Sequence, residues 1–310
     1  MNDMPSGSES ASASPNQLSP SGISLWVLGA RPRTLPAAVV PVAVGAACAV
    51  GLANNTWWRI ALALVVSLAL QVGVNYANDY SDGVRGTDEK RVGPLRLVGS
   101  GLATPKAVKK AALIALGVAA CAGLGLALLT TLWLLVVGAV AMLAAWTYTG
   151  GPKPYGYIGL GEVFVFVFFG VVATVGSTYA VTEEITSTAW IASCVVGLFA
   201  CALLVINNLR DIPGDTVAGK KTLAVRLGDK KTRVLFYGEI VLATAGIVVT
   251  AFTAGPTALL GLLGVIAAYP AVKMVQRGAK GRDLIPVLGA VGRSQMVLGL
   301  TYAIGLGLAL

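Results

Sequence analysis

The chain contains no histidine. That removes the commonest general base and the usual ligand of zinc and haem, so any acid–base work falls to carboxylates, Tyr, Lys or a substrate's own oxygens. Charge is scarce as well: 12% of the 310 residues are charged against 56% hydrophobic, and the mean hydropathy is +0.78. This balance excludes a soluble globular domain and leaves a polytopic membrane protein. The four cysteines, Cys48, Cys121, Cys194 and Cys201, all fall inside apolar runs and form no CxxC pair, which reads as small core residues and not as a redox or metal centre. The formal net charge of +9 comes from Lys and Arg scattered over short loops. No continuous basic stripe with interleaved aromatics exists, so nucleic acid is not an expected partner.

Residues 1 to about 22 are rich in Ser, Pro, Asn and Gly, carry no Lys or Arg and lack an apolar core. They are expected to form a disordered cytoplasmic tail, not an export signal, which needs a basic start and an apolar segment. Residues 23–310 read as one transmembrane domain with nine apolar segments, at roughly 24–52, 59–80, 106–128, 131–149, 157–180, 189–210, 231–253, 256–276 and 284–309. Most are long enough to cross a hydrocarbon core of ~30 Å, and their many Gly and Ala suit close helix packing in lipid. The fold class expected is therefore all-α, with nine transmembrane helices. Lys and Arg concentrate in alternate connections, among them Arg85, Lys90, Arg91, Arg96 and Lys106, then Lys153, then Lys220, Lys221, Arg226 and Lys230. By the positive-inside rule these loops and the amino terminus are cytoplasmic and the carboxyl terminus lies outside.

Two polar stretches interrupt this apolar pattern. Asn75, Asn78, Asp79 and Asp82 close the second segment, and Asn207, Asn208, Asp211 and Asp215 close the sixth. At ~100° per residue each set falls within about a third of a helix's circumference. Asn75 to Asn207 and Asp79 to Asp211 keep one offset, which suggests a weak internal repeat. The bland alternative is a pair of solvated helix ends. Carboxylates crowded at a helix carboxyl end repel one another and the dipole, and a cation removes both penalties. Hard oxygen ligands without Cys or His suit Mg²⁺ completed by water and phosphate. Asn78, Asp79, Asp82, Asn207, Asp211 and Asp215 are the candidate metal ligands.

Acid clusters at one membrane face beside basic loops describe a diphosphate site, and the large apolar interior points to a lipid diphosphate. Candidate substrate-binding residues are Arg33, Asn75, Asn78, Arg91, Arg96, Lys153, Asn207, Asn208, Arg210, Lys220 and Lys221. Arg33 is open to an acceptor carboxylate, to diphosphate or to a membrane-surface role, and Lys153 to phosphate contact or plain topological charge. Ionising an allylic diphosphate also needs a dry cavity with electron-rich walls. Tyr76, Tyr80, Tyr148, Tyr155 and Tyr157 are placed to supply them, with Tyr148 the foremost candidate. Arg293, deep in the last segment, is expected to pair with an acid, with Glu162 and Glu239 both open, or to face a cavity.

At these residues the chain resembles the UbiA superfamily of intramembrane prenyltransferases. Asn78-Asp79-x-x-Asp82 and Asn207-x-x-x-Asp211-x-x-x-Asp215 match its paired motifs, although a third acid often found in the first motif is Gly86 here, with Asp88 or Glu89 as substitutes. Arg31 to Ala37, Gly93 to Gly101, Tyr148 to Pro152 and Ala218 to Ala224 are similar to the branch that prenylates 1,4-dihydroxy-2-naphthoate. The resemblance implies a nine-helix bundle around a central cavity in the plasma membrane, with Mg²⁺ as cofactor and Asp79, Asp82, Asp211, Asp215 and Tyr148 as the catalytic set. It implies polyprenyl diphosphate as donor and 1,4-dihydroxy-2-naphthoate as acceptor, with carbon dioxide and diphosphate leaving to give demethylmenaquinol. Other acceptors of the superfamily (4-hydroxybenzoate, homogentisate, haem, a phosphoribosyl diphosphate system) are the nearer alternative. A secondary transporter is the further one, and it would bind near the midplane on broken helices.

Overall fold

A computed structural model describes residues 22–53, 55–87 and 95–310. The amino-terminal tail of the sequence reading, Arg91, and the substitute acids Asp88 and Glu89 lie outside the described residues. The described chain is helical throughout. α1 is Ile23–Ala30, α2 Pro36–Ala47, α3 Arg59–Val84, α4 Pro105–Leu129, α5 Trp133–Thr147, α6 Gly161–Thr182, α7 Ser187–Val217, α8 Leu223–Thr253, α9 Pro256–Gln276 and α10 Gly281–Ala309. Seven of these are long and apolar enough to cross a membrane, and α2 and α5 are shorter apolar helices, so the nine expected segments are all present in order.

Local chemistry sets the helix starts. Thr104, Thr186 and Thr222 accept the backbone N–H three residues on, at 3.3, 3.1 and 3.3 Å, and so cap α4, α7 and α8. Each satisfies one of the donors a helix leaves open at its first turn. α7 is the central helix, with 67% of its apolar window buried against 28–50% for the other long spans. It crosses α6 where both carry glycine: a Cβ on Gly170 would stand 2.6 Å from the Gly197 Cα. At that point α6 widens into a π-helical stretch, Phe166–Val172, a rare distortion often associated with function.

Two expectations are corrected. The segment read as one helix over 24–52 is broken between α1 and α2, where Arg31 takes a left-handed φ of 53°. Pro32 disfavours helical backbone in the residue before it, and the break is held by side chains. Thr34 Oγ1 donates to Arg31 O at 2.9 Å, while Asn75 Nδ2 donates to Ala30 O at 2.8 Å and to Thr34 Oγ1 at 2.9 Å. The second correction is to length. α3 and α7 run on past residues 80 and 210, to Val84 and Val217, so both acidic motifs lie wholly within helix, on the helical faces expected for them.

Candidate active site

The last turns of α3 and α7 meet the 95–101 segment, the 148–160 loop and the 218–222 link, and the sequence's polar residues divide here into two groups. One group holds the scaffold. Asp79 is 1% exposed and accepts the backbone N–H of Leu97 at 2.8 Å and of Val98 at 3.0 Å, so its two oxygens pin the 95–101 segment against α3. Asn75 ties down the α1–α2 break. Asn78 Oδ1 accepts the Thr149 hydroxyl at 2.8 Å, and Asn208 Nδ2 donates to Glu162 Oε1 at 2.9 Å. Arg210 turns onto its own helix, giving Nε and Nη2 to the two Asp211 oxygens at 2.7 Å each and Nη2 to Asn207 Oδ1 at 2.7 Å.

The other group converges on Asp82, which is 3% exposed. Lys220 Nζ lies 3.3 Å from one oxygen, Arg96 Nη2 3.7 Å from the other, and the Tyr157 hydroxyl donates to Oδ1. Lys220 also lies 4.0 Å from Asp215 and 4.5 Å from the centroid of the Tyr157 ring. Asp82 of the first motif and Asp215 of the second are thus joined through one ammonium. Burial pulls the Lys220 pKa down, but the negative charges of Asp82 and Asp215 and the Tyr157 oxygen outweigh it and hold the group above its ordinary value. Burial raises Tyr157, and the Asp82 carboxylate that accepts its proton raises it further. Both groups keep their protons at neutral pH.

Tyr148 stands beside this cluster at the end of α5. Its ring meets Tyr155 edge-on at 5.4 Å, Tyr155 stacks on Phe164 at 3.9 Å, and Phe164 stacks on Phe168 at 6.0 Å. This aromatic column runs from the acids into the π-helical part of α6. Partly buried at the end of α5, Tyr148 offers an electron-rich ring face beside the acids.

Other predicted positions stand apart. Arg33 is exposed on the α1–α2 break, and Lys153 is exposed in the 148–160 loop. The Lys221 side chain is exposed while its backbone N–H donates to Tyr157 O at 2.8 Å. Arg293 is exposed and lies back over Gly289, and among the described residues no ion pair joins it to Glu162 or Glu239, both of which are buried. Sequence reading missed Arg85, counted only as topology: its guanidinium donates to Thr149 O at 2.5 Å and to Gly151 O and lies 5.3 Å from the Tyr157 ring. Thr149, Phe164 and Phe168 were also missed. The aromatics five and nine residues after Gly159 were the one available signal for the column.

Among the described residues no group of three or more acidic, thiol or imidazole side chains is gathered as a ready metal cage. The donor set nevertheless fits a hard cation, because two oxygen ligands from separate helices already converge on a positive charge. Residues 38–285 match the UbiA prenyltransferase family. The chain belongs to that family. A relative from Mycobacterium tuberculosis (strain ATCC 25618 / H37Rv), a 1,4-dihydroxy-2-naphthoate octaprenyltransferase, is 51% identical over 90% of this chain and 95% of its own length. Among solved structures, an apo UbiA homolog from Aeropyrum pernix K1 superposes with a TM-score of 0.69 at 17% identity, covering 87% of this chain and 97% of its own. A UbiA homolog from Archaeoglobus fulgidus bound to GPP and Mg²⁺ gives 0.63 at 13% identity, covering 91% and 100%. These two likenesses establish the UbiA fold.

Proposed function

We propose that this chain transfers a polyprenyl group from polyprenyl diphosphate to 1,4-dihydroxy-2-naphthoate in the plasma membrane, releasing carbon dioxide and diphosphate and giving demethylmenaquinol. The observation that carries this reading is the convergence of Asp82 and Asp215, Lys220 and Arg96 at the head of an aromatic column. The likeness to the M. tuberculosis octaprenyltransferase selects the acceptor.

Asp82 and Asp215 are the ligands that would hold Mg²⁺, while Asp79 acts by holding the 95–101 segment, Asn78 by holding Thr149, and Asn207 and Asp211 by holding Arg210. Bound there, Mg²⁺ supplies charge neutralisation for the diphosphate leaving group. Arg96 and Lys220 add fixed positive charge beside the same oxygens. Tyr148, Tyr155 and Phe164 line the space in which the allylic carbon loses its oxygen, and their ring faces shelter the positive charge while keeping water out. The acceptor's naphthol oxygens push electrons into the ring, so its carboxylate-bearing carbon attacks once held near the allylic carbon. Exposed Arg33 and Lys153 are placed to receive an anionic group of either substrate.

Protein purified in detergent and given Mg²⁺, labelled prenyl diphosphate and carboxyl-labelled 1,4-dihydroxy-2-naphthoate is expected to release labelled carbon dioxide in step with prenylated product. Turnover that persists with divalent metal fully chelated contradicts the metal assignment, and transfer to 4-hydroxybenzoate in preference contradicts the acceptor. The site is further proposed to face the cytoplasm. In a cysteine-free background, Ser100→Cys is expected to react with an impermeant maleimide only in inside-out vesicles and Glu184→Cys only in right-side-out ones. The opposite pattern puts the acids on the wrong face.

A further inference from the structure

Lys220 has a position that ordinary phosphate binding does not explain. Its ammonium lies between the two motifs, 3.3 Å from Asp82 and 4.0 Å from Asp215, on a side chain only 11% exposed. The backbone that carries it is fixed on both sides: Lys220 N–H donates to Asp215 O at 2.8 Å, and Lys221 N–H donates to Tyr157 O at 2.8 Å. The mobile part is therefore the side chain, a compact charge on a flexible four-carbon stem. Arg96 is 8% exposed and faces the other oxygen of Asp82, at 3.7 Å. Among the described residues, the charges of Asp82 and Asp215 are matched here by those of Lys220 and Arg96. A divalent ion arriving alone would have to share the acids with an ammonium about 4 Å away, a distance at which like charges repel strongly in a half-buried site. Arriving with a diphosphate, it brings anionic oxygens on which the ammonium can settle.

We propose that Lys220 is a positioning residue that makes metal binding depend on the donor: it keeps Asp82 and Asp215 together as a stand-in cation and releases them when a diphosphate offers its ammonium another anion. This rests on the metal and diphosphate reading of the site given above. It predicts that the enzyme holds divalent metal weakly without donor, that removing the ammonium tightens metal binding, and that the same change weakens donor binding.

The test measures Mn²⁺ bound by detergent-purified full-length protein, from the electron paramagnetic resonance of the free ion, with no diphosphate present. Lys220→Met is expected to lower the Mn²⁺ Kd by about tenfold, a modest share of what one unit charge supplies at this range. Lys220→Arg, which keeps the charge, is expected to retain weak binding. At saturating Mg²⁺, Lys220→Met should raise the KM for geranyl diphosphate while leaving that for 1,4-dihydroxy-2-naphthoate unchanged, a split that loss of packing alone would not produce. If Lys220→Met is not recovered folded, Lys220→Gln carries the same expectation. An Mn²⁺ Kd that is unchanged or weaker in the neutral variant overturns the proposal and leaves the metal site standing. Mn²⁺ binding that is indifferent to Asp82→Asn overturns the metal site itself, and the two failures are thereby distinguished.

Discussion

Replacing Asp82 by asparagine is expected to lower kcat/KM by on the order of 10²-fold or more, as loss of a charged group aimed at the reacting centre does. The change removes one negative charge from a carboxylate that meets Lys220, Arg96 and the Tyr157 hydroxyl. An amide keeps the volume, but its NH₂ must face a cation or a hydroxyl donor, and Lys220 and Arg96, both largely buried, each lose an ion pair. Metal affinity and turnover should fall together, and excess Mg²⁺ should restore turnover only in part. Asp79→Asn makes the informative contrast. Its amide can still accept one of the two N–H groups from Leu97 and Val98 but opposes the other with a donor, which costs about 1–3 kcal/mol for an unsatisfied buried group. Its defect should appear first as a lowered melting temperature. Near-normal turnover in Asp82→Asn would refute the assignment of that residue.

Gly170→Leu is expected to yield no monodisperse protein. The atoms that a Cβ would meet are the Gly197 Cα at 2.6 Å, the Ser193 carbonyl oxygen at 2.9 Å and the Gly197 nitrogen at 3.1 Å. All are backbone of the central helix, so no rotamer change relieves the clash. Overpacking a core costs about 1–3 kcal/mol when side chains can adjust, and here the α6–α7 spacing itself must grow. Without a hydrophobic drive between helices in lipid, that spacing is what small residues at a crossing supply. Gly176→Leu, on the same helix with nothing within 4 Å of its Cβ position, should behave like the unchanged protein in size-exclusion profile and thermal melt. A folded Gly170→Leu with an unaltered melt would show that the crossing tolerates far more than its geometry allows.

The apolar spans and the paired motifs were legible in sequence because each is a local pattern: hydropathy over some twenty residues, or polar residues recurring on one helical face. What was not legible depends on which distant segments meet. In sequence Asn75 looks like a substrate-binding residue and Asp79 like a metal ligand, since they share a face with Asp82. Only the fold brings Ala30 and Thr34 beside Asn75, and Leu97 and Val98 beside Asp79, and turns both into fasteners. The reverse error befell Arg85, whose charge satisfied the topology rule so fully that nothing suggested its grip on Thr149 and Gly151. Periodicity carried straight through the α1–α2 break because Ala, Val and Leu continue on both sides of Arg31. Pro32, directly after Arg31, was its visible sign.

The shortness of α5 has a consequence for where the reaction sits in the bilayer. At a 1.5 Å rise its fifteen residues, Trp133–Thr147, measure about 22 Å against a hydrocarbon thickness of about 30 Å. Much of its flank is exposed, as is Trp133 at one end, at 75%; in a bilayer such a flank faces lipid and such a Trp favours the interface. The other end, which delivers Tyr148, therefore stops several ångströms short of the opposite headgroups, and the acyl chains beside it must thin or let polar groups sink inward. On the function proposed above, a lipid diphosphate entering beside α5 would meet a locally thinner bilayer, with its diphosphate at the level of the acids and its first carbons against the aromatic column. Hydrophobic mismatch would then bring the donor's polar and apolar ends to their two stations without lifting the isoprenoid tail out of the membrane.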